Sequence, residues 1–140
     1  MLTVSDLNVH YDTPAGLVRS VNGVSFEVGD GDTVALVGES GSGKSVTSQA
    51  VLGILPNIAH ARGRILFSDP KRPGTTVNLL EMPVDGEEIR AIRGSRIAKI
   101  FQEPMTSLSP LHTIGNQIGE VLAIHGDLPK AERRARTEEM

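Results

Sequence analysis

The chain has 140 residues, 39% of them hydrophobic and 22% charged, and a formal net charge of −3. That length suits one ordinary domain with a real core; the composition excludes a disordered chain, and the charge offers no basic footprint for nucleic acid. The absence of cysteine removes disulfide frameworks, thiolate catalysis and cysteine-based metal sites, and it suits a reducing compartment.

Residues 1–10 lack a basic stretch followed by an apolar one, so no signal peptide is expected. No run approaches the ~18 apolar residues of a spanning helix, and a soluble, cytoplasmic chain is the expectation. Leu2, Val4, Leu7, Val9 and Tyr11 alternate with a slip around Ser5-Asp6, which predicts a strand. Asp12-Thr13-Pro14-Ala15-Gly16 is a turn cluster, and Val24, Phe26 and Val28 mark a second alternating run closed by Gly29-Asp30-Gly31-Asp32. The two runs predict an antiparallel meander. Residues 33–37 are a short β-branched and apolar run, the pattern of a strand buried on both faces. Glycine and serine crowd 38–45, after which Val46, Ala50, Val51, Ile54 and Leu55 recur at helical spacing up to Pro56.

Further on, 64–67 predicts a short strand, 68–74 a surface loop, 87–93 a short helix and 97–101 a second buried strand. Ile114, Ile118, Val121, Leu122 and His125 share one face of a helix with Thr113 as N-cap. Pro129 suits a helix start, yet 131–139 offers no large apolar residue to dock, and a short helix without a buried face is marginal in water. The expectation is a sequence that stops mid-domain.

Gly38-Glu39-Ser40-Gly41-Ser42-Gly43-Lys44-Ser45 fits G-x-x-x-x-G-K-[ST] without a mismatch. A triphosphate needs several donors converging on a small volume, and consecutive amides of a curled loop supply them. Gly41 and Gly43 permit backbone angles and close approach that a side chain forbids. A helix starting near Lys44 adds its positive end to the same spot. In this scheme Lys44 reaches the β- and γ-phosphates of ATP and the Ser45 hydroxyl ligates Mg²⁺. The pattern arises by chance in roughly one chain per few hundred of this length, given glycine near ~7% of residues. Its placement between a strand-like run and an amphipathic helix removes most of that room for accident.

The loop alone leaves kinases, GTPases, helicases and transporters open. Val37 through Lys44, continuing Ser45-Val46-Thr47, resembles the Walker A region of ABC ATPases in the form found in oligopeptide, dipeptide and nickel importers. Ile100-Phe101-Gln102-Glu103-Pro104-Met105-Thr106-Ser107-Leu108 resembles the Q-loop of the same group, and Arg93-Gly94, Gln117-Ile118-Gly119-Glu120 and His125 match it as well. The resemblance runs the whole length of the chain.

It implies an α/β fold: a P-loop NTPase core with an N-terminal antiparallel β-subdomain (1–32), a nucleotide-binding core up to the Q-loop (33–104) and the start of a helical subdomain (105–140), together an incomplete domain. It further implies that Gln102 touches Mg²⁺ or the attacking water, so that Lys44 and Gln102 are the catalytic candidates and Ser45 and Gln102 the metal candidates. Tyr11 corresponds to an aromatic that stacks on adenine and Val21 to a small apolar side chain near the same base. With Gly38, Glu39, Ser40, Gly41, Ser42, Gly43, Lys44, Ser45 and Val46 they complete the nucleotide-binding candidates. Tyr11 equally fits a residue packing the sheet, and Glu39 a solvated acid lending only its backbone.

The implied partners are a second ABC ATPase subunit, identical or paralogous, and transmembrane permease subunits, with no nucleic acid; the implied location is the cytoplasmic face of the membrane. The sequence contains no Ser-Gly-Gly-Gln signature, no apolar strand ending in Asp-Glu and no switch histidine after it. Ile65-Leu66-Phe67-Ser68-Asp69 imitates the acidic strand but precedes the Q-loop, the wrong order. Ser109 stands where the family more often has asparagine, and 68–77 reads as a loop extension. His10, His60, His112 and His125 are not spaced for a metal and read as structural or exposed. A non-transporter ABC ATPase and a small P-loop kinase are the alternatives, the second lacking an arginine-rich lid.

Overall fold

The structure, a computed structural model, describes residues 1–103, 108–126 and 128–140. It divides into two compact units, Met1–Ile97 and Ala98–Met140.

The first unit is built on a four-stranded antiparallel sheet. Strands β1 (Leu2–Thr13), β2 (Gly16–Val28), β3 (Ala59–Ser68) and β4 (Thr76–Asn78) lie in the order β2-β1-β3-β4. The β1–β2 hairpin turns at Pro14-Ala15, where the Thr13 hydroxyl donates to the Gly16 carbonyl at 2.7 Å. The slip expected at Ser5-Asp6 is a bulge: Asp6 takes a left-handed φ of 47° and the β1–β2 register shifts between Val4 and Leu7. Around it, the Asn8 side chain donates to the Asp6 carbonyl at 2.7 Å and accepts from the Gly23 amide at 2.9 Å. On the β3 side, a Cβ at Gly63 would meet the Asp6 carbonyl oxygen at 2.4 Å, so only glycine fits beside the bulge.

Helix α1 (Lys44–Leu52) contributes Ala50 and Val51 to the core formed by Val4, Leu7, Val9, Val21, Ile65, Phe67, Leu79 and Ile89. Ile89 comes from the short helix α2 (Glu87–Ile92). The helix at 44 stops earlier than its apolar spacing suggests, because Gly53 turns left-handed at φ 62° and its amide returns to the Ala50 carbonyl at 3.0 Å. Three further expectations need correcting. Residues 33–37 form no strand: they pair with nothing in the sheet, and Val37 is 90% exposed. Residues 97–101 form none either, apart from a single parallel bridge between Arg93 and Ile97, and Ile100 is 94% exposed. The expected loop over 68–77 is shorter: 69–75 form it, while Ser68 ends β3 and Thr76 opens β4, their hydroxyls in contact at 3.0 Å.

The second unit holds α3 (Ile114–His125) and α4 (Lys130–Glu139). Thr113 caps α3 as expected, its hydroxyl accepting from the Asn116 amide at 3.3 Å. Gly115 and Gly119 lie against Thr137 of α4, and added Cβ atoms would meet it at 3.9 and 3.7 Å. Small residues therefore let the helices approach although α4 has no apolar face to bury. The face of α3 read from its apolar spacing is only partly covered: Ile118 and Leu122 are half-buried, whereas Ile114 and Val121 are exposed. Ser109 has a firm place in the loop before α3: its amide donates to Gln117 Oε1 at 2.9 Å, and Gln117 Nε2 donates back to its carbonyl at 3.1 Å. Among the described residues no helix is long and apolar enough to cross a membrane.

Candidate functional site

The segment 38–45 is a curl running into α1, positioned by contact with the sheet. Gly43 is the N-cap of α1 at φ 91°, and a Cβ there would lie 2.3 Å from the Ser20 carbonyl oxygen and 3.2 Å from Val21 Cγ2. Strand β2 thus seats the loop, and Val21, buried in the core, borders it directly. Gly41 is left-handed at φ 80° with open space around its Cα, so its backbone angle alone selects glycine. Ser42 donates its amide to the Glu39 carbonyl at 3.2 Å and closes the curl. Thr47, one turn into α1, buries its hydroxyl against the Gly43 carbonyl at 3.0 Å while its amide donates to the same oxygen at 2.8 Å.

The Lys44 ammonium folds back into the curl. It donates to the carbonyls of Gly38 and Glu39 at 2.6 Å each and to the Ser42 hydroxyl at 3.2 Å. These three bonds fix a positive charge inside the ring of loop atoms, beside the first turn of α1. That turn has no side-chain cap and no acidic residue, so no carboxylate of its own competes for its amides. A cation in the loop and uncapped amides at the helix start suit an anion with several oxygens, and the donor set fits the phosphates of a nucleotide. Ser45 is exposed at the helix start, and its hydroxyl is chemically suited to a hard divalent cation such as Mg²⁺.

The structure brings together Gly38, Glu39, Ser42, Gly43, Lys44 and Val21 in one place. Ser40 is an exposed member of the same curl, and Val46 packs partly buried against the core from α1. Tyr11 is half-buried near the C-terminal end of β1, opposite Val18 and Ala59, two residues along from Val9, which pairs with Val21, and it packs on the core. Gln102 is exposed and belongs to the second unit. Of the segment resembling a Q-loop, residues 104–107 lie outside the described residues.

Sequence reasoning gave no role to Ser20 or Thr47, which seat the loop through a carbonyl and a buried hydroxyl; Thr47 entered only as the last residue of the stretch resembling Walker A. It also missed a histidine pair. His10 and His60 face each other across β1 and β3 with rings stacked at 5.2 Å, and His60 Nε2 lies 3.0 Å from an Asp12 carboxylate oxygen. Among the described residues no group of three histidine or acidic side chains is arranged to hold a metal.

A glycine loop curled round a lysine ammonium and opening a helix defines the class of P-loop nucleotide-binding proteins. Comparison with known proteins narrows this: the sequence matches the ABC transporter family over residues 21–140, and the chain belongs to that family. It is 48% identical to the peptidoglycan transport ATP-binding protein YejF of Agrobacterium fabrum, over 100% of this chain and 24% of that protein. It is 43% identical to the dipeptide transport ATP-binding protein DppD of Bacillus subtilis, over 96% of this chain and 38% of that one. The oligopeptide transport ATP-binding protein OppD of Escherichia coli is 42% identical over 94% of this chain and 36% of its own length. The chain therefore spans well under half the length of these relatives. In fold it is similar to the dimeric ATP-binding cassette MJ0796 bound to ADP and Pi, with a TM-score of 0.77 at 22% identity, covering 99% of this chain and 55% of that one.

Proposed function

We propose that this chain is the nucleotide-gripping part of the ATP-binding subunit of an ABC importer for peptides or a similar small solute. The observation that carries the reading is the closed curl at 38–45 around the Lys44 ammonium. The printed names of its relatives, transport ATP-binding proteins for dipeptides, oligopeptides and peptidoglycan, favour a transport ATPase over a free-standing kinase. In this reading the amides of 38–45 and the start of α1 hold the phosphates of ATP, Lys44 neutralises the β- and γ-phosphoryl oxygens, and Ser45 serves Mg²⁺. Tyr11 stacks on the adenine and Val21 packs beside it.

Residues 1–32, 33–104 and 105–140 are then the β-subdomain, the nucleotide core and the beginning of the helical subdomain. The parent subunit pairs with a second ATPase subunit and docks on transmembrane permease subunits at the cytoplasmic face of the membrane. There it cleaves ATP with water to ADP and phosphate. Hydrolysis depends on positioning and charge stabilisation, and the 140 residues contain neither a signature motif nor an acidic strand after Gln102. Taken alone they bind Mg-ATP weakly and turn it over poorly.

The test is ATP hydrolysis by the whole subunit reconstituted with its permease in vesicles. Lys44→Ala is expected to lower turnover by about a hundredfold or more, the loss typical of removing one charge-stabilising donor. Undiminished hydrolysis by that variant would contradict the reading.

A further inference from the structure

The end of α1 remote from the phosphate loop carries a contact the site does not use. Arg93, which follows α2, donates from Nε to the Leu52 carbonyl at 2.7 Å and from Nη2 to the Gly53 carbonyl at 2.6 Å. These oxygens belong to the last residue of α1 and its C-cap, where the helix dipole leaves partial negative charge and unsatisfied acceptors. Gly53 leaves room for the contact: a Cβ there would lie 3.1 Å from Arg93 Nη2, close enough to make the guanidinium shift, and 3.6 Å from Ile89 Cγ1. A planar guanidinium presents two donors at fixed separation to two carbonyls, which the single ammonium of lysine cannot match.

Arg93 is itself fixed in a tight turn. Its amide donates to the Ile89 carbonyl at 3.0 Å, Gly94 at φ 75° donates to Ile97 at 2.9 Å, and Ile97 returns to Ile92 at 3.1 Å. Buried Ile89 anchors the preceding α2 in the core. In sequence the turn leads directly into the segment that carries Gln102.

We propose that Arg93 is a positioning residue that ties nucleotide occupancy at the N-terminus of α1 to the turn at 93–97. The inference rests on the nucleotide reading of the loop. A nine-residue helix is a stiff rod about 13 Å long. Ligand that fixes its first turn therefore also fixes the Leu52 and Gly53 carbonyls, and the guanidinium fork passes that constraint to the turn. A residue that merely stabilised the fold would loosen the turn equally with and without nucleotide. A positioning residue changes the response to nucleotide.

The experiment is amide hydrogen exchange on the whole subunit, with and without saturating Mg-ATP, read at residues 94–97 for wild type, Arg93→Gln and Arg93→Lys. In wild type, Mg-ATP is expected to slow exchange there by about tenfold. Arg93→Gln is expected to bind Mg-ATP within about threefold of wild type while the slowing disappears, and Arg93→Lys to keep less than half of it. Should Arg93→Gln fail to fold, Arg93→Lys decides, since it keeps a cation at the helix end and gives up only the fork. Binding with undiminished slowing in the folded variants overturns this inference alone. Absence of Mg-ATP binding by the wild-type subunit overturns the nucleotide reading and this inference with it.

Discussion

At Gly43 the backbone sits at φ 91° and an added Cβ would press within 2.3 Å of the Ser20 carbonyl, whereas at Gly41, φ 80°, nothing lies within 4 Å. Alanine at 41 pays only for the left-handed angle, about 1 kcal/mol. Alanine at 43 adds a backbone collision that β2 or the loop must relieve by moving, so Gly43→Ala should cost about 2–4 kcal/mol. Urea unfolding of the two variants measures the difference, and equal losses would mean the Ser20 contact does not seat the loop. Thr47→Val removes a buried hydroxyl whose acceptor, the Gly43 carbonyl, keeps the Thr47 amide at 2.8 Å. The loss should be about 1 kcal/mol in the same measurement, because no buried acceptor is left without a donor.

Among the elements, the Thr113 cap of α3 gives a clean test. Thr113→Ala leaves the Asn116 amide without its side-chain acceptor and should cost about 1 kcal/mol, seen as faster amide exchange over the first turn of α3. That cap, the bulge at Ser5-Asp6 and the glycine-rich curl at 38–45 are all legible in the sequence, because each is written in a few adjacent residues. What depends on a neighbour is not. The β-branched run at 33–37 has the propensity for a strand but forms no ladder in this structure, and the same holds for 97–101. The end of α1 was misplaced because apolar periodicity runs through Gly53 to Leu55, while the left-handed glycine stops the helix first. The stacking of His10 on His60 and the grip of Arg93 on Leu52 and Gly53 join residues forty or more positions apart, beyond the reach of local spacing.

For the molecule as a whole, two kinds of surface stand out. Around the curl at 38–45, polar atoms converge on a fixed ammonium. Elsewhere, apolar side chains are left open to solvent: Val34, Leu36 and Val37 in the first unit, Ile100 and Phe101 in the second. Exposed apolar segments of this kind favour association with other apolar surface. The isolated 140-residue chain should therefore bind a hydrophobic dye and self-associate, and Val37→Lys should lower both, as dye fluorescence and light scattering would record.

The nucleotide grip itself is tested most directly by following the thermal unfolding of this chain as Mg-ATP is added up to millimolar concentration. A ligand bound only to the folded form stabilises it by RT ln(1 + [L]/Kd), about 1.4 kcal/mol where weak binding leaves millimolar nucleotide at ten times its Kd, enough to raise the melting temperature by a few degrees. The expected result is a rise for the wild-type chain that is absent in Lys44→Ala. No rise at millimolar nucleotide, or an equal rise in the variant, would contradict a phosphate grip centred on Lys44.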